Sequence, residues 1–551
     1  MEQTGKTKRW PAARALAPWL LPAAVYALVW LVFGVRYEVN DDATLANIAA
    51  GAYGPDSQYL VYINIAVGWL IKPLYLLAPG LNWLYVLQAA LDVAALGALT
   101  HLFCEKWGAR RGLLCGLIVL MLAGVDAFYS FQYVKNSGLY LIAGFALLAE
   151  GLGSWNRKTV GGILWAVLGF LVRGQMFAAV GALAAPLLLA RFFALDGAGK
   201  RRAAAAMAFL FAAVAAFWAA DALAYRTDEG WQAFRTYNAV RTELSDFRLQ
   251  YAGPQDMAPF GYSDNDLDMM NSWSYWDSEV FGREQLEALA AALPGNDPVR
   301  AVKETVYRCS FFVLDGQPFH LLLTGAALAW LFFAQRRKSW VFPAVACLLG
   351  AQVLYLSLQG RYVHRVEYVL VVGAAVLGLL GCRWQDTPAL RTARPLAFCA
   401  ALAALVCLPV WRQTYRDMQQ YRIDRANRPD FTACAEDKEH LYLADVDALD
   451  MLAGYDVLHP RPQGFFSNIV EIGGWLSEAP HRREALAAYG VANPYPDMID
   501  RDDVYLIDAY HISAKQQFLR EHYGVEAVFE PLYTEGGFHV LRVTTAPATG
   551  A

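Results

Sequence analysis

Positions 18–35 read PWLLPAAVYALVWLVFGV, and positions 36–42 continue RYEVNDD. The first stretch carries no charge for 18 residues, about the length an α-helix needs to cross the hydrocarbon of a bilayer. Lys6, Lys8, Arg9 and Arg14 precede it, and Arg36 and Glu38 follow it. A secretory signal has an apolar core of only about 7–15 residues and a small-residue cleavage site. The segment therefore reads as an uncleaved first span, with Asp41 and Asp42 set just beyond its end.

Comparable runs recur near 82–104, 112–128, 137–151, 160–173, 175–194, 203–225, 319–334, 340–358, 366–382 and 396–411. The expectation is an α-helical polytopic membrane protein of about 11 spans. The composition agrees, because only 17% of the 551 residues are charged against roughly 25% in soluble domains. A formal net charge of −4 offers no basic surface for nucleic acid, and the partner implied is the lipid bilayer.

The basic clusters Lys106/Arg110/Arg111, Arg157/Lys158, Lys200/Arg201/Arg202, Arg336/Arg337/Lys338 and Arg383/Arg391/Arg394 then all fall on the side of the N-terminus. That bias marks the cytoplasmic side, giving an N-in, C-out chain in the cytoplasmic membrane. Segment 59–79 is apolar but holds Lys72 and Pro73, and reads as lying in the outer interface. The loops 36–81, 226–318 and 359–366 face outward with the tail. The chain divides into a membrane core, 1–425, and an extracytoplasmic soluble domain, 426–551. In the tail, strand-like runs at 440–446, 503–509, 527–533 and 538–543 alternate with helical stretches at 481–489 and 514–523, which favours an α/β domain.

Two constellations carry chemistry. Asp41 and Asp42 can supply a general base and an orienting or metal-binding partner, although an acidic stop beside a helix end has the same letters. Between spans nine and ten, Arg361, His364 and Arg365 stand at i, i+3 and i+4, the spacing of one helical face. They lie on the outer side, where the charge bias disfavours arginine, and arginine suits bidentate binding of phosphate. Arg173, at the outer end of span five, can join the same anionic site or serve as an anchor. Lys72 and Lys135 share that ambiguity at lower rank. Asp92 lies within a span with Gln88 one turn earlier, so function and a structural hydrogen bond compete.

Other motifs fail. The run Asp264-Asn265-Asp266-Leu267-Asp268 lacks the glycine and the glutamate of a calcium loop, which fall on Met269 and Tyr275. Ser263 before it makes a helix N-terminus. The turn Gly197-Ala198-Gly199-Lys200 lacks the upstream glycine and the hydroxyl of a phosphate loop. Trp273, Tyr275 and Trp276 read as a packed cluster before a sugar platform. Of eight cysteines, only Cys309 and Cys434 lie in polar segments, which leaves a disulfide between them open.

With acids after span one and cations before span ten, the chain resembles the GT-C-type integral-membrane glycosyltransferases, including the protein mannosyltransferases and the aminoarabinose transferases of lipid A. Asn40-Asp41-Asp42 match the acidic pair those proteins place in their first outer loop. Lys72-Pro73-Leu74-Tyr75 is similar to a lysine-proline stretch of the aminoarabinose branch with one proline missing. Leu168–Arg173 is similar to a helix ending in arginine midway through such proteins.

The resemblance implies a GT-C-like core and a polyprenyl-phosphate sugar donor used at the outer face of the membrane. Transfer would be inverting, to a hydroxyl of a glycan, lipid or protein acceptor. It further implies Asp41 as base, with Asp42 orienting it or holding a divalent cation (magnesium or manganese). Arg361, His364, Arg365, Arg173 and Lys72 would hold the donor phosphate. A polysaccharide polymerase or ligase, and a flippase for lipid-linked glycans, are the alternatives; the spans are too apolar to favour the latter.

Overall fold

The computed structural model describes residues 12–314, 317–449 and 456–546; Lys6, Lys8 and Arg9 lie outside them. Helix α1 (Ala12–Val32) is followed by a two-residue strand β1 (Arg36–Tyr37) and the short helices α2 (Asn40–Ala50) and α3 (Ile65–Tyr75). Then come α4 (Trp83–Trp107), α5 (Ala109–Tyr129), β2 (Ser130–Phe131), α6 (Tyr133–Gly151), α7 (Arg157–Val172), α8 (Gly174–Phe193) and α9 (Gly197–Thr227). After the large loop, α14 (Pro318–Phe333), α15 (Val341–Leu358), α16 (His364–Leu380) and α17 (Arg394–Ala426) complete the bundle.

Each of the eleven apolar runs falls on a helix. Seven of these helices are long and apolar enough to cross a membrane, and the other four are shorter or more polar. Segment 59–79 forms no long helix: it contains only α3, whose Trp69 and Leu70 face outward from the protein. Helices α6 and α7 pack closely against each other. There Gly162 permits backbone contact, since a Cβ on it would lie 2.5 Å from the Leu148 nitrogen. Small residues at such crossings let helices approach closely where no hydrophobic effect drives them together.

Residues 226–318 form α10 (Glu229–Thr242), α11 (Asp264–Asn271), α12 (Arg283–Ala292) and α13 (Pro298–Leu314). The capping box is present as expected. The Ser263 hydroxyl accepts from the Asp266 N–H at 3.2 Å, and the Asp266 carboxylate accepts from the Ser263 N–H at 2.8 Å. This loop packs on the tail rather than on the membrane helices alone. Tyr275, Trp276 and Phe281 share one hydrophobic core with Leu443, Leu506 and Phe518.

The tail folds around a five-stranded sheet, with α18 (Pro480–Ala488) and α19 (Ile512–Tyr523) against it. Its strands are β3 (Leu441–Ala444), β4 (Ile469–Glu471), β5 (Val504–Asp508), β6 (Ala527–Glu535) and β7 (Phe538–Thr545), in the order β4-β3-β5-β7-β6. The first three are parallel and the last two form an antiparallel hairpin. Strand β4 was not expected; three residues are too few for an alternating pattern. Cys309 and Cys434 are both free, so the disulfide left open by sequence does not form.

Candidate functional site

The acidic pair opens α2, where carboxylates also favour the positive end of the helix dipole. Most of α2 is buried, and its far end is held by the tail. The Gly464 N–H donates to the Gly51 carbonyl at 2.8 Å, the Phe466 N–H to Ala52 at 2.7 Å, and the Arg461 N–H to the Asn47 side chain at 3.0 Å. The two acids point different ways. Asp41 lines a cavity of about 1030 Å³ beneath the loops that precede α4 and follow α9. Asp42 is buried on another face of α2, where Oδ1 accepts from the Tyr133 N–H at 2.9 Å and Oδ2 has no partner. It thus joins α2 to the start of α6.

Burial raises the Asp41 carboxyl above the usual range, although Arg365, Arg173, Arg361 and Arg241 pull it back. Burial, and then the charge of Asp41, push Asp42 well above that range. One carboxylate and one carboxylic acid is the state such a pair favours.

Four arginines surround the cavity. Arg365, on the first turn of α16, places Nη2 3.8 Å from Asp41 Oδ2. Arg173 occupies the break between α7 and α8 in extended conformation, with its guanidinium over the rings of Tyr62 and Tyr133 at 5.2 and 5.6 Å. Arg361 lies in the turn before α16 and pairs with Asp246. Arg241, almost wholly buried, is held by Asn238 at 2.9 Å and Thr242 at 2.8 Å beneath the Trp273 ring, and its Nη1 has no partner. Four guanidinium groups against Asp41 and Asp246 leave the cavity positive. Its remaining walls include Met176, Ala178, Leu356, Val366 and Leu370, together with Tyr355, which is exposed on α15.

The other expected residues fall elsewhere. Helix α16 starts at His364, so Arg361 precedes it and the expected single helical face over 361–365 does not form. Both arginines still reach the cavity, but His364 packs against Phe319, 3.9 Å from Asp126. Lys72 donates to the Asp56 carbonyl at 3.0 Å and to Gln58 at 3.3 Å, away from the cavity. Lys135 is fully buried between Glu38 (2.6 Å) and Asp126 (3.0 Å). Asp92 sits inside the bundle, within reach of the Asn136 amide at 3.1 Å. Tyr275 and Trp276 are core residues, whereas Trp273 lines the cavity with Trp475.

A divalent cation does not suit this arrangement. Asp42 faces away from the cavity, and the surroundings of Asp41 are cationic. Among the described residues, the groups of three able to hold an ion are Asp266–Glu521–His522 and Asp445–Asp447–His511, neither of which includes Asp41 or Asp42.

Arg241, Asp246 and Trp475 were not singled out as site residues from sequence. Trp475 belongs to the stretch Ile472-Gly473-Gly474-Trp475, whose glycines were the available signal. A Cβ on Gly473 would lie 2.1 Å from the Trp273 carbonyl oxygen, and Gly474 has φ +69°. The Gly474 N–H donates to that same carbonyl at 3.0 Å. The turn thereby carries Trp475 from the tail into the cavity.

No protein-family model matches the chain, and no curated protein matches it. Two solved structures of ArnT from Cupriavidus metallidurans are similar to it. The apo state shows 13% identity and a TM-score of 0.43 over 96% of this chain and 98% of that one. The state bound to undecaprenyl phosphate shows 14% identity and a TM-score of 0.40 over 95% and 97%.

Proposed function

We propose that the chain is a membrane glycosyltransferase of GT-C type, moving a sugar from a polyprenyl-phosphate donor to a hydroxyl acceptor at the outer face of the membrane. The observation that carries this reading is the cavity itself. A carboxylate stands 3.8 Å from an arginine in a positively charged chamber with apolar walls supplied by helices of the bundle. A lipid phosphate monoester matches that combination of charged head and apolar tail.

In this mechanism Asp41 accepts the proton of the acceptor hydroxyl while the oxygen attacks the anomeric carbon from the face opposite the phosphate. The bond from that carbon to the phosphate oxygen breaks, its electron pair leaves with the polyprenyl phosphate, and configuration inverts. The departing phosphate gains negative charge, which Arg365, Arg173, Arg361 and Arg241 meet with fixed donors. Asp42 does not touch the reacting atoms; it holds α2 against the start of α6. No step passes through a metal ion.

The test is purified protein with polyprenyl-phosphate sugars, scored for transfer and for equimolar release of polyprenyl phosphate. Transfer that survives Asp41→Asn points instead to a polymerase or ligase, and absence of transfer with every donor points to a transporter or a non-catalytic partner.

Two further outcomes are expected in the same assay. Because the Asp41 carboxyl lies above the usual range, the base is lost as pH falls through that raised value. Turnover then declines on the acid side at higher pH than an ordinary aspartate dictates. Arg365→Gln removes a charge that favours the carboxylate, so the acid limb moves to still higher pH; a limb that stays in place contradicts the assignment. Gly473→Ala forces the Trp273 backbone and the Trp475 turn apart, and a displacement of about 1 Å at a reacting site costs up to about 10²-fold. Turnover near wild type would show that the tail does not shape the cavity.

A further inference from the structure

Helix α11 ends in a turn that its own residues do not favour. The Trp273 N–H donates to the Met270 carbonyl at 3.1 Å, and the Ser274 N–H to the Met269 carbonyl at 2.9 Å. These two bonds make the helix-ending turn whose left-handed position usually falls to glycine, which has no Cβ to clash. Here that position holds Trp273, at φ +63°, and a bulky residue there is an outlier. Such strain persists only where the surrounding structure over-determines it, and it collects at ligand sites.

The tail is what holds this turn. The Gly474 N–H donates to the Trp273 carbonyl at 3.0 Å. The Ser274 hydroxyl donates at 3.1 Å to Asp445, just after β3, and the Tyr495 hydroxyl donates to the Ser274 carbonyl at 3.1 Å. Asp445 is itself fixed by the fully buried Lys515 of α19, which also pairs with Asp508 at the end of β5 at 2.6 Å. The carboxyl ends of two neighbouring strands therefore grip positions 273 and 274.

What the grip positions is Arg241. The Trp273 ring lies 5.1 Å from the Arg241 guanidinium, and both residues line the cavity of Asp41. Asn238 and Thr242 hold two of the guanidinium nitrogens, and the buried Nη1 has no partner. A buried donor left unpaired is costly, and an anion in the cavity would remove that cost. The indole face meanwhile fixes the plane of the guanidinium.

We infer that Trp273 is a positioning residue for the lipid phosphate: the tail holds its ring against Arg241, and the ring aims Arg241 at the phosphate. The inference rests on the donor proposed above and makes the tail a determinant of its affinity.

The test titrates the full chain in detergent with polyprenyl phosphate and, separately, with polyprenyl alcohol, by isothermal calorimetry. Arg241→Gln should weaken phosphate binding about thirtyfold, the loss of a charge-assisted bond. Trp273→Ala should weaken it about tenfold, and Trp273→Phe, which keeps a ring, no more than about threefold. Because Trp273 acts through Arg241, the two changes together should stay at about thirtyfold instead of reaching their product, about three-hundredfold. Alcohol binding should stay within about twofold in every variant, since it makes no charge-assisted bond. Additive losses, or an equal loss for the alcohol, would make Trp273 a structural residue and overturn the inference. Should Trp273→Ala fail to fold, Ser274→Ala removes only the hydroxyl held by Asp445. About threefold weakening for the phosphate is then expected, absent beside Arg241→Gln, and a loss that persists there overturns the inference. If Arg241→Gln does not fold, a loss in Trp273→Ala confined to the phosphate supports the inference, and a loss shared by the alcohol overturns it. Wild-type protein that binds phosphate and alcohol equally overturns the donor reading and this inference with it. A preference for phosphate with additive losses overturns this inference alone.

Discussion

Asp41→Asn is expected to lower turnover by about 10²–10⁴-fold, the range over which a positioned general base contributes. Asparagine keeps the size of the side chain and its place at the start of α2, but it cannot accept a proton at any working pH. It also removes the negative partner of Arg365, 3.8 Å away, so the cavity becomes more positive and donor binding should hold or tighten. The signature is a fall in kcat with KM for the donor unchanged or lower, measured as sugar transferred from a polyprenyl-phosphate donor. Loss confined to KM would place Asp41 in binding. The matching change at Asp42 should act differently, because its Oδ1 fixes the Tyr133 N–H at 2.9 Å. Asp42→Asn retains an oxygen for that bond, and turnover should fall far less.

The second large effect is on folding. Lys135 is fully buried and bridges Glu38 and Asp126 at 2.6 and 3.0 Å, tying the strand after α1 to the end of α5 and the start of α6. Lys135→Met fills similar space but strands two carboxylates without their cation, which costs about 3–5 kcal/mol when one partner of a buried pair is removed. Folded proteins keep only about 5–15 kcal/mol in reserve, so the midpoint of thermal unfolding in detergent should drop by several degrees. Replacing the whole group together, as Glu38→Gln with Asp126→Asn and Lys135→Met, should recover much of the loss. An unchanged midpoint for the single variant would mean that the triad carries little of the stability.

The bundle was legible because an uncharged run of membrane length has few other uses, and the basic clusters fixed which ends belong together. Arg173, Arg361 and Arg365 stand out for a related reason: they lie at the ends of the helices opposite those that carry the basic clusters. Their environment was not legible. The expectation of one helical face depended on where α16 begins, and a start at His364 separates Arg361 from the turn and sends His364 toward Phe319. Adjacent letters likewise hide that Asp41 and Asp42 point to different faces of α2.

Arg241 left no local signal. A buried arginine on α10 has the same sequence as an exposed one, and its burial comes from Trp273 and from the tail packed on the large loop. Lys135 has the sequence of an interface cation because its partners stand 97 and 9 positions away, one of them beyond the reach of any local pattern.

Recognition of a lipid phosphate by the cavity beside Asp41 can be tested by binding, without knowledge of sugar or acceptor. Polyprenyl phosphate and the matching polyprenyl alcohol are titrated separately into the purified chain, followed by quenching of tryptophan fluorescence. The phosphate should bind at least about tenfold more tightly than the alcohol, as expected for charge-assisted bonds of about 1.5 kcal/mol or more. Arg173→Gln with Arg365→Gln should remove that difference. Equal affinity for phosphate and alcohol in the wild-type protein would contradict the claim.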